Sequence, residues 1–100
     1  MAGAVEVDTL QGSLGDSIWF HFDLDNDVLY LRDQATRNEP VFGEEDPDGF
    51  TVLRTDDGKF AGMTIVTYWE RFGSGELGRA SIHAVKERVA EWAKSHSLVA

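Results

Sequence analysis

The apolar residues of this chain change their period once, and that change restricts the fold more than any other feature. Ile18, Phe20 and Phe22 are interleaved with Trp19, His21 and Asp23, and further on Met63 and Ile65 alternate with Thr64 and Val66. A period of two sends one set of side chains to a core face and the other outward, which is the pattern of a half-buried strand. Past the segment from Gly73 to Gly78 the spacing becomes three and four: Ile82, Val85, Val89 and Trp92 form one stripe, with His83, Glu87, Glu91 and Lys94 opposite it. That is the stripe of a helix lying on a surface. The expected class is therefore α+β, an antiparallel meander of about four strands with one C-terminal amphipathic helix packed on a sheet face.

Turn residues divide the first part. A strand starting at Ser17 stops at Asp25-Asn26-Asp27, whose short polar side chains bond their own backbone. A second strand, Val28 to Arg32, comes so soon after it that it must run antiparallel to the first. Asp33 to Gly49 reads as polar and irregular, with Pro40 and an Asp46-Pro47-Asp48-Gly49 turn. A third strand covers Phe50 to Thr55 and a fourth Phe60 to about Trp69, joined at Asp57-Gly58 by a two-residue turn of the mirror-image type. The organisation expected is one domain: residues 1–16 a leader, 17–72 the meander, 73–78 a connector and 79–96 the helix, with Ser81 or Ser74 as its cap.

Composition limits what such a domain does. With 100 residues a core of useful size can form, and the chain has no cysteine to staple it. The net charge of −9 argues against a nucleic acid partner, since a phosphate backbone is held by clustered Lys and Arg. No apolar run approaches the roughly 18 residues of a membrane span, and the beginning of the chain lacks the positive charge of a signal peptide. A cytoplasmic protein with no membrane partner is expected. The acidic excess is also one-sided. Residues 1–50 hold twelve acidic side chains against Arg32 and Arg37 alone, a balance of −10, while residues 51–100 stand at +1.

Phe22-Asp23-Leu24-Asp25-Asn26-Asp27-Val28-Leu29-Tyr30-Leu31 resembles the opening of a widespread bacterial and archaeal domain of unknown function, whose members read Tyr-Asp, three variable residues, then Asp-Val-Leu-Tyr-Ile. That family continues with a strand, an Asp-x-Gly turn and a Gly-Ile-x-Ile strand, similar to Asp56, Asp57, Gly58, Gly62, Met63 and Ile65 here. The resemblance covers about residues 18–72 and leaves the leader and the helical tail outside it. It implies a fold and no catalytic residues. Some family members are encoded beside small basic toxin-like proteins, so the resemblance also implies an antitoxin-like role.

Five groups of residues bear on chemistry. Asp23, Asp25 and Asp27 have the alternation of a calcium loop, but that template requires Gly at its sixth position and Glu at its twelfth, where Val28 and Gln34 stand. They are candidate metal ligands against a preferred reading as turn formers. Glu44, Glu45, Asp46 and Asp48 form a second acidic cluster, of a kind that holds Mg²⁺ or works as acid and base but is read here as a solvated loop that attracts a partner. Tyr68, Trp69 and Phe72 have the composition of an interface centre, or else anchor the helix to the sheet. His21 with Asp23, two apart on a strand, is read as a chance pair, and His83 with Glu87 as a surface contact one helical turn apart.

No nucleophile elbow, phosphate loop, dinucleotide fingerprint or zinc-protease motif occurs, and nothing calls for a cofactor. The expected function is a non-catalytic module for protein interaction or self-association, binding a basic protein in an antitoxin-like manner. An open sheet has edges to cover, so a homodimer is also expected. The rival reading is a carboxylate- and metal-dependent hydrolase with its site at a dimer cleft.

Overall fold

The computed structural model describes residues 9–98. Six strands form one antiparallel sheet: β1 (Thr9–Leu14), β2 (Ile18–Asp23), β3 (Val28–Asp33), β4 (Val41–Glu45), β5 (Thr51–Thr55) and β6 (Phe60–Val66), in the spatial order β1-β2-β3-β6-β5-β4. A short helix α1 (Tyr68–Phe72) and a longer one, α2 (Ile82–Ser95), follow the sheet. The α+β class and the sheet-plus-helix arrangement are as the sequence implies, but the strands number six. Two hairpin-connected triplets, β1-β2-β3 and β4-β5-β6, meet at the β3–β6 pair, so β3 and the second triplet make a Greek key.

Both additional strands fall where the sequence suggests none. β1 occupies part of the expected leader, whose residues 1–8 lie outside the described part. Its inward positions are Leu10, Gly12 and Leu14, paired with Phe22, Phe20 and Ile18. A Cβ on Gly12 would stand 2.9 Å from the Phe20 ring, so the aromatic side chain of β2 fills the place of the missing one on β1. β4 lies in the segment read as irregular, and its five residues are half-buried or exposed. With neither face in the core, no alternation marks it.

The core occupies one face of the sheet. Leu10, Leu14, Ile18, Phe20, Phe22, Leu29, Leu31, Met63 and Ile65 meet Tyr68 and Trp69 of α1 and Val85, Val89, Trp92 and Ala93 of α2. The Trp92 ring stands at 90° to both Phe50 and Tyr68, with centroids 6.0 and 5.7 Å away, and the His96 ring stacks on it at 4.2 Å. The edge-to-face contacts suit the aromatic quadrupole. Ile82, expected in the buried stripe, is 59% exposed instead, at the first position of α2, where Ile82, His83 and Ala84 are all exposed.

Local chemistry sets the ends of the elements. The Ser81 hydroxyl accepts from the Ala84 N–H at 3.0 Å and caps α2, which thus begins three residues later than expected, after a separate 3-10 turn at Leu77–Arg79. At the other end Ser97 has φ +58°, and Leu98 and Ser97 donate to the carbonyls of Ala93 and Lys94, a Schellman closure. The β5–β6 turn is longer than the two-residue form. Gly58 has φ +84° but Asp57 does not have positive φ, and Gly58 N–H reaches Thr55 O while Thr55 N–H reaches Lys59 O. A type I turn with a left-handed glycine behind it results.

The last strand ends at Val66, short of Trp69, because a residue distant in sequence captures the backbone beyond it. Asp27, at φ +55°, accepts from the Trp69 N–H at 2.7 Å and the Glu70 N–H at 3.1 Å, while its carbonyl accepts from Tyr68 N–H. α1 is capped across the sheet.

Candidate interaction surface

The acidic cluster maps onto one margin of the molecule. Among the described residues β4 pairs only with β5, so its other side is an open edge with unpaired N–H and C=O groups. Phe42 lies opposite Arg54 and Glu44 opposite Val52, which puts Phe42 and Glu44 on one face and Gly43 and Glu45 on the other. Phe42 is 45% exposed. Glu44 pairs with Arg54 at 3.4 Å, both partly solvated, whereas Glu45, Asp46 and Asp48 make no ion pair among the described residues.

Asp46 and Asp48 have separate tasks in the turn after β4. The Asp46 carboxylate accepts from the Asp48 N–H at 2.7 Å and its carbonyl from Gly49 N–H, with Gly49 at φ +88°. The Asp48 carbonyl accepts from Arg71 Nη2 at 2.9 Å. Arg71 lies over the Phe50 and Phe72 rings, 4.8 and 5.0 Å from their centroids, and so ties this turn to α1. The turn is thereby fixed while the Glu45 and Asp48 carboxylates stay in water.

The aromatic cluster lies elsewhere. Tyr68 and Trp69 are 0% and 4% exposed and Phe72 is half-buried, so they hold the two helices to the sheet and do not present a free surface. The Tyr68 hydroxyl donates to Arg88 O, and burial pushes its pKa well above the usual value. Trp69 Nε1–H donates to Gly75 O at 2.9 Å.

Asp23, Asp25 and Asp27 diverge as well. The Asp23 carboxylate accepts from the side-chain amide of Asn26 at 2.8 Å and from the N–H groups of Asn26 and Asp25, and the Asn26 bonds hold its pKa below the ordinary carboxylate value. Asp27 is committed to α1, and Asp25 is exposed. No group of three His, Cys, Asp or Glu side chains is placed to hold a metal ion among the described residues. His21 lies edge-on to Tyr30 at 5.6 Å, and His83 contacts Glu87 at 2.7 Å on the surface of α2.

Sequence reasoning finds the acids and misses the strand that carries them, and with it Phe42. The usable signal was Pro40-Val41-Phe42, two strand-forming residues behind a proline of the kind that edges tolerate. No family model, curated protein or solved structure matches the chain.

Proposed function

We propose that this chain is a protein-interaction module without chemistry of its own, which takes up a basic strand of a partner along the open edge of β4, an antitoxin-like role. One observation carries the reading: β4 is an uncovered edge strand that exposes Phe42 and stands among Glu44, Glu45, Asp46 and Asp48. Added strands gain affinity from main-chain hydrogen bonds, and Phe42 offers an apolar contact beside them. The carboxylates steer the approach and select the sign of the partner. They also oppose pairing of β4 with β4 of a second copy, because both edges carry the same negative charge. A dimer of this chain, which open edges also favour, would use β1. The metal-dependent hydrolase reading has no comparable observation behind it.

A peptide of alternating Lys and Val, with a Glu and Val counterpart as control, tests the proposal. The expected association rate falls steeply as salt shortens the Debye length to about 8 Å and below, with little change in dissociation. Glu45→Gln with Asp48→Asn should slow association without moving the melting midpoint, since both side chains are exposed. Phe42→Ala should speed dissociation. Equal binding of the two peptides overturns the reading.

A further inference from the structure

The sheet face opposite α2 has a chemistry that runs against the charge of the chain. Ser13, Trp19, Arg32 and Gly62 stand opposite one another across β1, β2, β3 and β6 and therefore share that face. Arg32 Nη2 donates to the carbonyls of Thr36 at 2.8 Å and Glu39 at 3.2 Å, which draws the segment after β3 against the strand ends. Between strand row and segment lies a concavity of about 390 Å³, lined by Ser13, Trp19, Arg32, Gln34 and Arg37. Pockets for small ligands begin at about 300 Å³.

Its lining is selective. Arg32 and Arg37 are the only basic residues among the first fifty, against twelve acidic ones, yet both line this one concavity and, among the described residues, no carboxylate does. Trp19 is 40% exposed there, whereas Trp69 and Trp92 are 4% and 5% exposed. Arg32 Nε is buried without an acceptor, and Arg37 is exposed with no ion pair among the described residues. A guanidinium held in place by other bonds is a ready partner for a carboxylate or phosphate, and an exposed indole is a stacking platform for a planar ring.

We propose that this concavity binds a small aromatic anion, its ring against Trp19 and its carboxylate or phosphate held by Arg37 and Arg32, with the Ser13 hydroxyl and the Gln34 amide as neutral donors. The site is separate from the β4 edge and does not depend on a protein partner.

Two matched pairs of probes test it: adenosine 5′-monophosphate against adenosine, and nicotinate against nicotinamide. Trp19 emission and the amide chemical shifts of residues 13, 19, 32, 34 and 37 are followed in the intact chain. The anion of at least one pair should saturate these signals and bind about tenfold more tightly than its neutral counterpart, the factor expected for one well-placed ionic contact. Saturation by the monophosphate alone identifies a phosphate ligand, and by nicotinate alone a carboxylate. Arg37→Gln, at an exposed position and thus safe for folding, should remove most of that preference while leaving the neutral probes unchanged. Equal affinity within both pairs, the absence of saturation by either anion, or an unaltered preference in Arg37→Gln overturns the proposal.

Discussion

The two triplets of strands are built alike and used differently. β1, β2 and β3 contribute seven buried apolar side chains, Leu10, Leu14, Ile18, Phe20, Phe22, Leu29 and Leu31. In the second triplet β6 adds Ala61, Met63 and Ile65, but within β4 and β5 only Thr55 is buried. Widths explain the contrast: strands lie about 4.8 Å apart, so six span roughly 24 Å, whereas a helix with its side chains is about 10 Å across. α2 and the short α1 leave part of such a sheet bare. The half under the helices carries the buried side chains, and the β4–β5 ribbon carries almost none.

The sharpest way to break this contrast is to empty the covered half. Trp92→Ala should lose about 3–5 kcal/mol in denaturant melts, because the side chain is 5% exposed and packs against Phe50, Tyr68 and Phe72. Phe42→Ala on the ribbon should change stability by less than about 0.5 kcal/mol. Comparable losses from both would mean that the ribbon belongs to the core. The seam between the triplets comes next. A Cβ on Gly62 would stand 2.2 Å from the Leu31 carbonyl oxygen, so Gly62→Ala should force β6 away from β3 and cost about 1–3 kcal/mol by the same assay.

Loss of the cross-sheet cap is a smaller effect. Asp27→Ala should remove the acceptor for Trp69 and Glu70 and cost about 1–2 kcal/mol, with Asn at that position recovering part of it through its own amide oxygen and its tolerance of positive φ. The smallest effect concerns acid. Asp57, at the tip of the β5–β6 hairpin, accepts the Thr55 hydroxyl, and that bond foremost holds its pKa below the ordinary 3.8. A carboxyl lowered in the folded state adds stability above about pH 3.8 that is lost as pH falls through the folded value. Melts of Asp57→Asn should therefore show a shallower decline than the parent below that pH, and parallel curves would assign the acid response elsewhere.

Legibility in the sequence divides along the same line. Strands β2, β3 and β6 announce themselves because each has one face in the core and one in water, and the stripe Val85, Val89, Trp92 announces α2 for the same reason. β1 hides behind Gly12, whose inward position is filled by a ring from the next strand, a substitution that no local period records. β4 hides because it buries neither face. α1 depends on Asp27, some forty residues upstream, and a run such as Tyr68 to Phe72 reads equally well as the end of a strand. At the site, charge is visible as composition, while the edge strand that carries it, and the gathering of Arg32 and Arg37 beside Trp19, require the topology.

Residue-resolved hydrogen exchange of the native chain, with and without the Lys and Val peptide, tests most directly whether the uncovered ribbon is the binding element. The expected result is slowest exchange in β2, β3 and β6, fast exchange at the outward amides of β4, and new protection confined to β4 once the peptide is present. Protection of β4 equal to that of β3 without any partner, or peptide-induced protection at β1 in place of β4, would contradict it.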